Sequence, residues 1–152
     1  MDYVSMKNED PISMETAGCD GYFIHNVLET KDEPIPDGYT SFLQYWESQT
    51  GQPAPTKCQS DDPHKKHDGS DADKTELVGA HVRIDDFRCP NDWAWIVPLC
   101  KHCNDDDRTY CLWLPAGTKF VPIKMEKSHP TAKSVKDKLL KIIKTWLHNQ
   151  GL

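Results

Sequence analysis

Two cysteines spaced as Cys100-Lys101-His102-Cys103, followed by Asn104 and preceded by Pro98-Leu99, constrain this 152-residue chain more than any other feature. A C-x-x-C turn presents two thiolates to one ion, and zinc asks for four tetrahedral sulfur or nitrogen ligands. A chain that uses this turn for metal must therefore fold so that two further ligands arrive from distant segments. Nineteen positions before Cys100 stands His81, in the strand-like stretch Gly79-Ala80-His81-Val82. The chain holds six cysteines, but its N-terminus has no basic segment followed by an apolar one. Without that export signal the cysteines read as metal ligands in a reducing, cytoplasmic setting rather than as a disulfide set.

Cys58, just after Pro53 and Pro55, is the natural third ligand. No second cysteine stands at knuckle spacing after it, since Asp61 occupies that place. The fourth ligand is open between His81 on the strand and His64 in the following loop, with His67 and Asp61 behind them. Cys111 lies amid Tyr110, Leu112 and Trp113 and reads as a small buried apolar residue, Cys89 is a weaker candidate, and Cys19 reads as a free thiol.

The pattern along the chain gives one domain, residues 21–152, behind a polar leader of residues 1–20 expected to be flexible. Residues 21–28 are apolar enough for a buried strand, ended by the acidic, proline-containing stretch 29–38. Tyr39, Phe42, Leu43 and Trp46 fall at i, i+3, i+4 and i+7, which predicts a short helix packing an aromatic face, capped by Thr40 or Ser41 and stopped by Gly51. Residues 59–74 are polar throughout and read as an exposed loop. Residues 76–83 and 93–99 form an expected hairpin, and residues 110–114 and 119–123 a second one around Pro115-Ala116-Gly117-Thr118. Val135, Leu139, Ile142, Ile143, Trp146 and Leu147 trace one side of a C-terminal amphipathic helix, with Lys136, Lys141 and Lys144 read as off the stripe and Gly151 as the stop. The fold class is α+β: β-hairpins between a short N-terminal helix and a long C-terminal one. A mean hydropathy of −0.72 gives such a domain a modest core, which a structural Zn²⁺ would supplement.

Charge is unevenly spread. Residues 1–76 hold 6 Lys/Arg against 16 Asp/Glu, whereas residues 121–152 hold 7 against 2. The basic end suits a nucleic-acid backbone and the acidic half a protein partner, while attraction between the two halves accounts for the same asymmetry without any partner. No run of about eighteen apolar residues exists, so a membrane span is excluded and no membrane partner is expected. Glycine-rich phosphate loops and Ser/His/Asp signatures are absent, and the Asp105-Asp106-Asp107 run after the knuckle is unlike the long helix that follows a thioredoxin-type C-x-x-C.

Residues 76–104 resemble the zinc-containing treble-clef, or ββα-metal, proteins of the HNH endonuclease superfamily. The match lies in Gly79–Val82, Ile96–Asn104 and the upstream Cys58, about a third of the chain, with Trp46 and Gly51 as flanking support. The resemblance implies a treble-clef fold around the zinc and assigns His81 as the general base on a water. In that family the residue before this histidine and a histidine after the knuckle hold a divalent ion, and an asparagine orients the base. Here those places fall on Ala80, which has no donor atom, on Asn104, and near Trp95. The implied function is a zinc-binding HNH-like module without cleavage, binding nucleic acid or a protein partner. The alternative is an active nuclease with His81 as base and Mg²⁺ held by Asp85, Asp86 or Asp105–Asp107, since hard cations take oxygen ligands.

Overall fold

A computed structural model describes residues 12–13, 21–60, 77–85, 89–104, 112–115 and 117–151. In chain order the elements are β1 (Ile12–Ser13), β2 (Gly21–Asn26), α1 (Phe42–Thr50), β3 (Leu77–Ile84), β4 (Trp93–Cys100), α2 (Lys101–Asn104), β5 (Leu112–Pro115), β6 (Lys119–Lys124) and α3 (Ala132–Asn149). The strands form one antiparallel sheet ordered β1-β6-β4-β3-β2-β5. The class is α+β. Residues 12–13, within the stretch read as a leader, add β1 to the edge beside Phe120 and Lys119.

The order of strands dictates the shape. β5 and β6 stand at opposite sides of the run β6-β4-β3-β2-β5, yet only residues 116–118 join them. Laid flat, strands four spacings apart would be about 19 Å from each other. Three linking residues reach at most about 14 Å between the flanking Cα atoms. The sheet must therefore coil, and the turn is tightened by Thr118 N–H donating to the Pro115 carbonyl at 3.2 Å. Coiling also brings Tyr22 of β2 and Phe120 of β6 edge to face, with ring centroids 5.8 Å apart, although two strands lie between them. The turn at 115–118 is where the sequence places it, but β5 ladders with β2 and β6 with β4, so the second expected hairpin is instead a corner. Turn chemistry is local and does not specify ladder partners.

The concave face is lined by Ile24, Ala80, Val82, Trp95, Leu112 and Phe120, each almost fully buried. The alternation is that of strands: Ala80 faces Val97 and Val82 faces Trp95 across the β3–β4 ladder, and their neighbours point to the convex side. There α1 covers Ala94, Ile96 and Val121 with Tyr45 and Trp46, and Trp46 Nε1 donates to the Lys119 carbonyl at 2.9 Å. Ser41 caps α1 by accepting from Gln44 N–H, and Gly51 ends it in the left-handed region with φ 67°. The aromatic stripe expected of this helix is thus core, with Tyr39 and Phe42 packed partly buried against it.

Two buried polar joints hold the loops. Asn26 Nδ2 donates to the Cys103 carbonyl at 2.7 Å, linking the end of β2 to the knuckle. Glu33 accepts from Glu126 N–H at 2.9 Å and pairs with His129, tying the loop after β2 to the approach to α3. Burial alone would raise the Glu33 carboxyl, but these two hydrogen bonds hold it below the usual carboxylate range.

Close approach of α1 to β3 depends on Gly79, where a Cβ would lie 2.5 Å from Leu43 N and from Phe42 C. Both atoms are backbone, so the helix itself has to shift. Gly79→Ala is expected to cost about 1–3 kcal/mol by overpacking, measured as a lower denaturant midpoint with unchanged slope.

Candidate metal centre

β4 runs between β3 and β6, is buried along nearly its whole length, and delivers Cys100 at its end. The single turn of α2 brings Cys103 back over it, with Cys103 N–H donating to Cys100 Sγ at 3.4 Å. Gly51 and the prolines at 53 and 55 turn the chain after α1, and Ala54 N–H donating to Glu47 at 3.1 Å fixes that path. Cys58 thereby arrives beside the knuckle.

The Sγ atoms of Cys58, Cys100 and Cys103 all lie within 4.8 Å of one another, the only such group of potential ligands among the described residues. Cys58 Sγ and Cys103 Sγ are 3.9 Å apart. Two thiolates each about 2.3 Å from a tetrahedral ion stand about 3.8 Å apart, so this spacing fits zinc. Ser60 Oγ lies 3.0 Å from Cys103 Sγ and 3.3 Å from Cys58 Sγ. Cys103 and Cys100 are buried, and Cys58 is partly so.

The thiols share their protons unequally. The hydrogen bond between Cys58 and Cys103 pulls the Cys58 thiol well below its ordinary range, against burial and with help from Ser60. The same contact pushes Cys103 up, and burial pushes Cys100 up. One proton leaves readily, and the others leave when a cation supplies the compensating charge.

The structure brings Cys58, Cys100 and Cys103 together and leaves His81 outside the group. Leu77 is the residue opposite Cys100, and His81 stands four positions further along β3. That is about 13 Å of strand. His81 instead sits under α1 on the convex side, its ring edge-on to Phe42 with centroids 4.5 Å apart. It is 4% exposed, its Nε2 has no hydrogen-bond partner, and it lines a cavity of about 400 Å³ with Glu33, Phe42 and Asn104. Burial lowers its pKa to about 4, the charge of Glu33 opposing and that of His129 reinforcing the shift, so it is neutral at neutral pH.

Of the other candidates, Asp85 is engaged by His25, with Nδ1 and Oδ1 2.6 Å apart. Cys89 packs away from the cluster, its thiol held up by burial and donating to the Trp93 carbonyl. Ala80 and Trp95 face the concave core. His64, His67, Asp61, Asp86, Asp105–Asp107, Cys19 and Cys111 lie outside the described residues. Ser60 and Asn26 are the two contributors that sequence reasoning missed. The one trace of Asn26 is an amide closing an otherwise apolar strand, and Ser60 has none beyond its place two residues after Cys58.

Compared with models of known protein families, with curated proteins and with solved structures, the chain matches none.

Metal removal is expected to destabilise the fold by about 4 kcal/mol when free zinc stands a thousandfold above its Kd, read as the Tm lost on adding a chelator. In the metal-free protein near neutral pH, iodoacetamide should label Cys58 ahead of the other described cysteines, with zinc protecting it; peptide mapping checks this. His81 gives a separate pH signature. Its folded pKa is depressed, so its stabilising contribution is present above the ordinary value of 6.5 and is lost as pH falls toward about 4. The difference in unfolding free energy between wild type and His81→Phe should change by about 3 kcal/mol across that window.

Proposed function

We propose that this chain is a zinc-stabilised, HNH-like treble-clef module that does not cleave phosphodiesters and binds a protein partner. The observation that carries this reading is the separation of the thiol cluster from His81. The converging ligands sit at the end of β4, whereas the histidine of the resemblance lines a cavity under α1 and is preceded by the apolar Ala80. Zinc held by the thiols would serve the fold, and Ala80 before His81 offers no donor atom to a second ion.

A groove beside the knuckle supports the choice of partner. The cavity containing His81 adjoins a second of about 620 Å³, and both are lined by Thr30, Lys31 and Asn104. Their charged lining is Glu29, Asp32 and Glu33 against Lys31 and Lys127, a balance that does not favour a phosphate backbone. A protein segment with basic and apolar side chains suits it better.

One specific observation favours a second reading, an active nuclease. His81 Nε2 is unpartnered in the same cavity as Asn104, and burial keeps the imidazole in its basic form at neutral pH.

Zinc-loaded protein incubated with plasmid and Mg²⁺ or Mn²⁺ is expected to leave the DNA intact, and elemental analysis to return about one zinc per chain. Cleavage that His81→Ala abolishes while zinc content stays unchanged would establish the nuclease instead. Duplex DNA affinity that falls steeply between low and physiological salt would replace the protein partner with nucleic acid.

A further inference from the structure

Helix α3 is 18 residues long and has one buried residue, Ala132. It is rooted by its first turn: Thr131 caps it through a reciprocal capping box and bridges to Val27, and Leu28 N–H donates to the Pro130 carbonyl at 2.8 Å. Beyond that root, seven large apolar side chains stand 37–65% exposed. At 100° per residue they fill an arc of about 160°, from Ile142 through Trp146, Leu139 and Ile143 to Leu147 and Leu140. Lys133 and Lys144 border one side of the arc and Lys138 the other, while Lys136, contrary to the sequence reading, falls inside it.

We infer that α3 is a docking element for an anionic lipid surface, lying in the bilayer interface with its apolar arc inward. An arc near half the helix circumference is what a planar boundary between water and hydrocarbon would cover. Lysines along its margins can bury their methylene stems and keep their ammonium groups at the headgroups. Charge decides against the other occupants. The helix carries five lysines and one aspartate, so two copies packed side by side would set lysine margins against each other. Nucleic acid would satisfy the lysines and leave the apolar arc in water. Anionic lipid satisfies both.

The rest of the chain carries a net −10 and is repelled by such a surface. Screening at physiological salt confines that repulsion to about 8 Å, whereas eighteen helical residues span about 27 Å. No helix among the described residues is long and apolar enough to cross a membrane, and lying on one requires no such length. The inference is independent of the thiol cluster and of the groove.

The test uses the full-length protein with vesicles of phosphatidylcholine alone and of phosphatidylcholine with an equal part of phosphatidylglycerol, read by co-sedimentation. Binding should be at least about tenfold tighter to the mixed vesicles and should weaken as salt rises. It should shift tryptophan emission to the blue in wild type but not in Trp146→Phe. The Leu139→Asp/Ile142→Asp variant should lose binding about tenfold or more, and Lys138→Gln/Lys144→Gln should narrow the preference for anionic vesicles. Both pairs are exposed, and a circular dichroism spectrum and Tm equal to wild type show that the fold is intact. Absence of binding to mixed vesicles, or binding that the double aspartate variant retains, overturns the inference. So does lipid-free protein sedimenting as a dimer or larger that the aspartates convert to monomer, since a second copy would then be the occupant.

Discussion

The three residues between β5 and β6 impose the coil on which the rest of the molecule depends. Because the outer strands are joined by so short a link, the sheet wraps its own concave side chains and needs no helix on that face. Trp95 and Phe120 are fully buried there, and burial of side chains of this size contributes on the order of 2–3 kcal/mol each. β4 runs near the middle of this wrap and is enclosed on both sides. Its last residue is a ligand candidate, so the cluster inherits the rigidity of the best-packed strand in the domain. The knuckle is placed by the core, and a metal held there would reinforce a position that packing already defines.

Legibility in the sequence followed the range of the interaction involved. α1 was readable to within a residue because its stripe, its serine cap and its terminating glycine are local signals. The β3–β4 pair, the knuckle and Cys58 were readable for the same reason, each being a pattern of a few residues. What remained hidden was the pairing of elements far apart in the chain. Turn residues at 115–118 announced a reversal, and only the coil of the whole sheet decides that the strands beside it ladder with β4 and β2. His81 shows the same limit at the site. Its nearness to a C-x-x-C in sequence suggested a ligand, while antiparallel register carries it four residues away from the end at which the thiols meet. Periodicity likewise revealed the amphipathic stripe of α3 but carried no information on whether another surface covers it.

The polar contacts divide the labour between shape and attachment. Apolar side chains build the two faces of the sheet, whereas the segments that leave the sheet are held by single buried polar groups: Asn26 on the knuckle, Glu33 at the approach to α3, Trp46 Nε1 on the start of β6. Each of these groups is costly to strand without its partner. Loops after β2, after α1 and before α3 are therefore specified in position even though none contributes much apolar surface.

The contact between Cys58 and Cys103 joins positions 45 residues apart. Bringing such ends together in an unfolded chain costs roughly 3 kcal/mol in loop-closure entropy. An ion bridging these thiols would act as a reversible crosslink that closes only once the ends have met, so its binding energy would offset that cost in the folded state. The β3–β4 ladder closes a far shorter separation, Ile84 to Trp93, and its closure owes nothing to such an ion. A fall in the supply of the ion would thus remove the offset to the long closure between Cys58 and the knuckle and leave the short closure between β3 and β4 as it was.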